Sequence, residues 1–150
     1  MNYRTTNEFD HFLFQDVHVA DVQIRNGVFR LTLDDVKIKP ENSANRDIRM
    51  MRANGLVLSI IEPQILSFIE EGYKIYDADG KLLEKEKDLN VEEADYTETA
   101  NNFLDGYAYL IEKSGAEYTF VIDGNNERTY CIVVKGAEDL EEWDKFLNVE

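Results

Sequence analysis

The dipeptide Asn26-Gly27 lies between two segments in which apolar residues alternate with polar ones. A two-residue type I′ turn needs positive φ at both central positions, which Asn and Gly tolerate, and its twist matches that of the strands it joins. Turn chemistry and side-chain period agree on one register, so the segment is predicted to be a β-hairpin. In that register Arg25 lies opposite Val28, and the apolar pairs are Ile24 with Phe29, Val22 with Leu31, and Ala20 with Leu33.

The alternation changes parity twice around this hairpin, between Val19 and Val22 and between Leu33 and Val36. A one-residue slip in a period of two is the pattern of a β-bulge, and a break into separate short strands gives the same pattern. The sequence therefore predicts a bent, strongly twisted sheet on either side of the turn.

Further strands are predicted at 56–61, 73–76, 107–112, 118–122 and 128–135. A short central helix is predicted from Pro63 to Gly72, because Ile65, Leu66, Phe68 and Ile69 fall on one helical face. A C-terminal helix is predicted because Leu140, Trp143, Phe146 and Leu147 lie along one stripe. We expect a single α+β domain over residues 1–150, with a mainly antiparallel, bent or barrel-like sheet and these two helices.

Charge and composition limit the partners. The chain has 31 acidic and 16 basic residues, a net charge of −15, which repels phosphate backbones and favours basic surfaces, so we expect no nucleic-acid ligand. Its 43% hydrophobic and 11% aromatic residues exclude disorder.

Cys131 is the only cysteine, which excludes an internal disulfide. Without a signal core or an apolar span, we expect a cytoplasmic protein with no membrane partner.

The two histidines, His11 and His18, lie close in sequence to Asp10 and Asp16. Asp16 and His18 share one face of a regular strand and could form a metal or acid/base pair. Hydrolytic and zinc signatures also need a third ligand or a nucleophile at a set spacing, and the sequence has none. We therefore assign no catalytic residue, metal or cofactor, and keep Asp16 and His18 as candidate ligand-binding residues.

Arg46, Arg49 and Arg52 recur at three-residue spacing in segment 37–52, the one positive region of the chain. Arginines in such a loop either anchor it by ion pairing or bind an anionic ligand. These three form a second set of candidate ligand-binding residues.

Acidic residues are concentrated between Glu62 and Asp105, where thirteen acids stand against four lysines. Such a run is typical of a solvated face. Alternatively, it is a docking surface for a basic protein, because complementary charge raises the association rate. Glu92, Glu93 and Asp95 are the candidate partner-binding residues.

The segment Phe9-Asp10-His11-Phe12-Leu13-Phe14-Gln15-Asp16-Val17-His18-Val19, followed by the hairpin and Leu33-Asp34-Asp35-Val36, resembles the start of small uncharacterised bacterial β-rich proteins. Some of these are grouped with the immunity proteins of polymorphic toxin systems. The resemblance spans residues 1 to about 60, and Gln15 stands where such openings often have His. It implies a compact acidic binder, with no established activity to carry over.

We therefore expect a non-enzymatic acidic binding protein, of the immunity or anti-toxin type that the resemblance implies, with a basic protein as its partner. Two alternatives stay open: a small metal-dependent or acid/base enzyme that uses the Asp16/His18 region or the arginine loop, and a structural or regulatory homodimer. A deep pocket that joins Asp16, His18 and Arg46 would favour the enzyme, and a large apolar surface patch would favour the homodimer.

Overall fold

The computed structural model describes residues 1–149, and 55% of the chain lies in strands against 9% in helical turns. The strands are β1 (Tyr3–Thr6), β2 (Phe12–Leu13), β3 (Val17–Arg25), β4 (Val28–Asp34), β5 (Val36–Ile38), β6 (Met51–Ala53), β7 (Leu56–Ile61), β8 (Gln64–Glu70), β9 (Tyr73–Tyr76), β10 (Leu82–Glu86), β11 (Leu89–Asn90), β12 (Tyr107–Ser114), β13 (Glu117–Asp123), β14 (Thr129–Lys135), β15 (Glu138–Trp143) and β16 (Leu147–Asn148). The helical turns are Phe9–His11, Glu93–Asp95, α1 (Tyr96–Ala100) and Asn101–Phe103. The fold is mostly antiparallel β, and the α+β prediction is wrong.

Ten strands form one antiparallel sheet in the order β1-β15-β7-β4-β3-β12-β13-β14-β8-β11. Its middle is weak, because β3 and β12 pair only at His18 with Tyr107 and at Val17 with Ala108. We call β1, β15, β7, β4 and β3 the first half sheet, and β12, β13, β14, β8 and β11 the second. The rings of Phe29 on β4 and Phe120 on β13 lie 4.7 Å apart, so the two halves fold over and face each other.

The outer strands of this sheet, β1 and β11, do not pair with each other. The sheet is therefore bent but open, and the barrel-like form considered from the sequence is wrong. Two smaller sheets complete the fold: β16-β6-β5-β2, and a separate hairpin of β9 and β10.

The core lies between the two half sheets and follows the two-residue period of the strands. On β4 the buried side chains are every second residue, Phe29, Leu31 and Leu33, and on β13 they are Tyr118, Phe120 and Ile122. Each half sheet thus has one apolar face, and the two faces pack together away from water.

The hairpin at Asn26-Gly27 has the predicted register as far as Val22 with Leu31. Gly27 has a φ of +77°, but Asn26 does not have a positive φ, so the predicted type I′ turn is wrong although the hairpin and its register are present. The ladder shifts between Val19 and Asp21, which confirms the first predicted bulge, so Val19 rather than Ala20 pairs with Leu33. The second parity change is a break between strands, where Asp35 takes a φ of +60° between β4 and β5.

The predicted central helix is strand β8, which pairs with β14. The β8/β14 ladder shifts between Ser67 and Ile65, leaving Leu66 as an extra residue. A bulge of this kind moves apolar residues from strict alternation to a spacing of one, three and four, which is also the spacing of a helical face. The bulge thus explains why the sequence pattern predicted a helix.

The predicted C-terminal helix is strand β15, which pairs with β7 on one side and β1 on the other. Trp143 is fully buried, as predicted, but it lies at the end of a strand and packs against Tyr3 and Phe12. A segment of six to eight residues is too short to form a stable helix on its own. Because β7 and β1 both offer unpaired backbone N–H and C=O groups to this segment, hydrogen bonding to them makes it a strand. Phe146 follows β15 and is half-buried.

The helical segment 93–103 covers one end of the second half sheet. Tyr96 stacks on Phe68 with ring centroids 5.1 Å apart, and Phe103 packs against Tyr130 at 5.2 Å. Thr97 Oγ1 also donates a hydrogen bond of 2.9 Å to the carbonyl of Ile24 on β3. The segment therefore contacts both halves of the sheet. Within residues 1–149, no helix has the length and apolar character that crossing a membrane requires.

Candidate functional sites

His18 lies at the weak junction between the half sheets. Its Nδ1 is 3.0 Å from Oδ2 of Asp34, and its Nε2 is 3.2 Å from Oδ1 of Asp105. The ring also packs edge-on against Tyr107, with centroids 5.6 Å apart. Because each ring nitrogen faces a carboxylate, an imidazolium donates to both acids at once. His18 thus links β3 to β4 and to the turn after segment 93–103.

Asp16, the candidate partner of His18, is not one of these contacts. It lies exposed before β3 with a φ of +55°, and its backbone N–H donates to the carbonyl of Tyr109 at 3.3 Å. A positive φ interrupts regular strand geometry, so Asp16 and His18 do not share a strand face. The acids that do contact His18 come from distant parts of the chain, and their only sequence signal was the parity change near Asp34.

Within residues 1–149, no group of three or more His, Cys, Asp or Glu side chains is arranged so that it could hold a metal ion. Asp34 is also engaged by the backbone, since its Oδ1 accepts a hydrogen bond of 2.8 Å from the Gly55 N–H. With both ring nitrogens of His18 and both oxygens of Asp34 occupied, the cluster is arranged to connect strands.

The three arginines of segment 37–52 have different neighbours. Arg49 forms an ion pair of 3.0 Å with Asp47, and its hydrogen bond lowers the pKa of that carboxyl. Arg52 Nε donates to the carbonyl of Asn148 at 2.8 Å. Arg46 is exposed and lines an open groove. The three do not converge on one point, and no hydrogen bond or ion pair within the described chain connects them to His18.

The loop that carries these arginines is also anchored by an asparagine. Asn45 is buried, and its Nδ2 lies 3.2 Å from the carbonyls of Ile38 and Lys39 and 3.3 Å from that of Arg49. Asn45 therefore anchors the loop together with Arg49, which pairs with Asp47, and Arg52, which donates to the Asn148 carbonyl, and Arg46 has no such contact in the described chain.

Two carboxyl groups lie in the core between the half sheets. Asp139 and Glu141 occupy successive inward positions on β15, and neither is exposed to water. Asp139 Oδ2 accepts hydrogen bonds from Tyr118 Oη at 2.6 Å and from Lys113 Nζ at 3.0 Å. Glu141 Oε1 accepts one from Thr5 Oγ1 at 2.8 Å. The pair therefore connects β1 and β15 to β12 and β13 of the facing half.

The pKa values of Glu141 and Asp139 are shifted in opposite directions from their ordinary values. Burial raises the pKa of Glu141 to about 9, and the neighbouring Asp139 acts in the same direction. Burial alone would also raise the pKa of Asp139, but hydrogen bonds from Glu141, Tyr118 and Lys113 outweigh burial and lower it. At neutral pH the pair therefore holds one proton, on Glu141, and one negative charge, on Asp139. This pair could not be predicted from the sequence, because acidic side chains are normally exposed to water.

A groove on the second half sheet collects acidic side chains from separate elements. Its lining includes Glu70 of β8, Leu89 of β11, and Val91, Glu92, Asp95 and Glu98 of the following segment. We call this the acidic groove. Glu70 is ion-paired with Arg128 at 3.3 Å. Within residues 1–149, none of the ion pairs involves the other three acids.

The predicted partner-binding residues divide between two places. Glu92 and Asp95 line the acidic groove, while Glu93 lies on the other side of the helical segment, beside the Asn26-Gly27 turn. Sequence reasoning did not single out Glu70 or Glu98, although both fall within the acidic run. Glu70 reaches the groove only because β8 pairs with β11.

Comparisons with protein-family models, with curated proteins and with solved structures gave no match. The function of this chain therefore has to be argued from its own residues.

Proposed function

We propose that this chain is a non-enzymatic binding protein that docks a basic protein in the acidic groove. One observation carries the proposal: Glu92, Asp95 and Glu98 are exposed, face one groove, and have no cationic side chain of residues 1–149 within ion-pair distance. Like charges held close together repel each other, and lysines or arginines of a partner remove that repulsion.

The groove also has apolar side chains among its acids. Leu89 is 51% exposed, and Val91 is half-buried beside it. Protein interfaces combine an apolar centre with a polar rim, and charges at the rim mainly raise the association rate. The acidic groove thus combines exposed acids with an exposed leucine, as a protein interface does.

The enzyme alternative has less support. Both ring nitrogens of His18 are engaged by Asp34 and Asp105, which leaves neither directed at a substrate. The buried carboxyl pair of Asp139 and Glu141 is closed to solvent, so no substrate reaches it.

The resemblance of residues 9–19 to the openings of immunity proteins adds a candidate for the partner, namely a basic toxin. In this proposal the protein acts in the cytoplasm, where the lone Cys131 thiol needs no disulfide partner. Burial raises the pKa of that thiol, with the charge of Glu71 adding to the effect, so it is not a reactive thiolate.

The proposal is tested with a fluorescein-labelled ten-residue peptide of alternating lysine and leucine. The groove variant Glu92→Gln/Asp95→Asn/Glu98→Gln is compared with Glu41→Gln/Glu112→Gln/Asp144→Asn, which removes the same charge from exposed positions outside the groove. Stopped-flow anisotropy should show the association rate reduced about fivefold or more in the groove variant and by less than about twofold in the control. Equal reductions in the two variants would refute the proposal.

A further inference from the structure

The hairpin of β9 and β10 extends from the fold as a separate arm. Its two strands pair only with each other, through Leu82 with Tyr76, Glu84 with Ile75, Lys85 with Lys74 and Glu86 with Tyr73. All residues of both strands are exposed. The arm therefore buries little of its own surface, although an isolated two-stranded hairpin is only marginally stable in water.

The arm carries an unusual concentration of exposed apolar side chains. They are Tyr73, Ile75, Tyr76, Leu82 and Leu83, between 36% and 62% exposed. Contiguous exposed apolar groups rimmed by charge mark interaction surfaces. The arm is thus the second region, beside the acidic groove, that is built for contact with another molecule.

The register of the arm separates its charges by sign. Residues directly opposite each other in an antiparallel ladder lie on the same face. One face therefore carries Tyr73 and Ile75 with Glu84 and Glu86, and we call it the acidic face. The opposite face carries Tyr76 and Leu82 with Lys74 and Lys85, and we call it the basic face. Both faces offer apolar side chains, but they attract partners of opposite charge.

The acidic face is connected to the acidic groove. Glu70 of the groove pairs with Arg128, and the Arg128 guanidinium lies 4.9 Å from the centre of the Tyr73 ring. The base of the arm is also fixed, because the Gly72 N–H donates to Asp88 Oδ1 at 2.7 Å. A Cβ at Gly72 would collide with the backbone of Glu86, so the two strands meet as closely as glycine permits.

We propose that the acidic face of the arm is the second part of the docking surface, and that its occupant is a basic protein whose cations surround apolar side chains. This inference rests on the proposed function. Charge complementarity selects the face, since Glu84 and Glu86 attract the same partner that the acidic groove attracts, whereas Lys74 and Lys85 repel it. Tyr73 and Ile75 supply the apolar contact that converts a steered encounter into a longer-lived complex.

The chain offers a closely matched pair of variants to test this. Ile75 on the acidic face is 44% exposed, and Leu82 on the basic face is 46% exposed. Ile75→Ser and Leu82→Ser thus remove similar apolar surface from the same arm, so a general loss of arm structure affects both alike. Dissociation of the lysine-leucine peptide should be about tenfold faster from Ile75→Ser and changed by less than about twofold in Leu82→Ser.

A ten-residue peptide of alternating glutamate and leucine reports whether apolar contact alone is enough, and it should not bind. Equal effects of Ile75→Ser and Leu82→Ser, or binding of the glutamate-leucine peptide, overturn the inference about the arm. A wild-type dimer in sedimentation that Ile75→Ser converts to a monomer also overturns it, because the occupant is then a second copy.

Failure of this inference can be told apart from failure of the proposed function. If the groove variant at Glu92, Asp95 and Glu98 weakens binding while the two serine variants behave alike, the groove is a docking site and the arm is not part of it. If the groove variant matches its surface control, the proposed function fails whatever the arm does.

Discussion

Asp139 and Glu141 occupy successive inward positions on β15, and neither carboxyl group is exposed to water. Asp139 Oδ1 and Glu141 Oε2 are buried, and no N–H or O–H group of the described chain donates a hydrogen bond to either atom. A proton on Glu141 that is donated to Asp139 satisfies both atoms, whereas two buried negative charges at this spacing would repel each other strongly. The folded state therefore requires a proton at this pair.

This requirement predicts a loss of stability as pH rises. The ordinary pKa of Glu141 is 4.5, and its pKa in the folded state is about 9. Between these values the unfolded carboxyl has lost a proton that the folded one retains. The stabilising contribution is complete below pH 4.5 and is lost by about pH 9, at about 1.4 kcal/mol per pH unit. The lowered pKa of Asp139 affects stability at acidic pH. Its stabilising contribution is lost as the pH falls below the ordinary value of 3.8.

Glu141→Gln isolates the effect of Glu141 from the general repulsion of an acidic protein. The glutamine amide donates to Asp139 and accepts from Thr5, but it cannot ionise. Urea denaturation from pH 5 to pH 8.5 should show a shallower pH dependence in the variant, with a stability near that of the wild type at pH 5 and above it at pH 8.5. Parallel curves for the two proteins would show that Glu141 keeps no proton.

Asp139→Asn should be far more harmful. The substitution removes the buried charge that Lys113 and Tyr118 face, and it leaves the half-buried Lys113 ammonium group without its anion. We expect a loss of about 3–5 kcal/mol in the free energy of unfolding at pH 7. Glu142→Gln, on the outward side of the same strand, is the control and should change stability by less than about 0.5 kcal/mol. A loss below about 1 kcal/mol for Asp139→Asn would contradict the ion pair.

His18→Ala tests the link between the half sheets. The residue joins Asp34 to Asp105 through partly exposed contacts, so the global loss should be only about 1 kcal/mol. The local effect should be clearer: the Val19 N–H, which donates to the Gly106 carbonyl at 2.9 Å, should exchange with solvent faster. His11→Ala removes the other histidine and should leave that amide unchanged. Unchanged exchange in His18→Ala would mean that the link is not stabilising.

Gly27→Val tests the hairpin turn. A Cβ at Gly27 meets no atom within 4 Å, so the whole cost comes from the φ of +77°. A β-branched residue in this region should lose about 1–2 kcal/mol of stability. Gly27→Asn should lose clearly less, because Asn tolerates the left-handed region. Equal losses for Val and Asn would mean that packing, and not backbone conformation, sets the cost.

Local signals predicted the hairpin, and nonlocal pairing produced the errors. Asn26-Gly27 and the flanking alternation are sufficient to fix Ile24 against Phe29, since the contacts are close in sequence. The bulge at Leu66 and the strand ending at Trp143 depend on partners elsewhere in the chain. Their apolar spacings match a helix equally well, so no local pattern could distinguish the two structures.

The candidate sites also divide into residues that local sequence signals predict and residues that only the folded structure brings together. Glu92 and Asp95 could be predicted because a charge run is visible in the sequence. Glu70 joins them, and Asp105 reaches His18, only through the order of strands in the folded sheet. The pair of Asp139 and Glu141 could not be predicted at all, because the rule that acids face water puts both on the surface.

In the proposed complex, a basic partner docks on the acidic groove and on the adjoining acidic face of the arm. The most direct measurement is a titration of the ¹⁵N-labelled full chain with the lysine-leucine peptide, followed by amide chemical shifts at physiological ionic strength. We expect the shifts to concentrate at Glu70, at 89–98 and at 73–86, and to fade as salt is raised. Shifts spread over all acidic surfaces in proportion to charge, or centred outside these segments, would contradict the account.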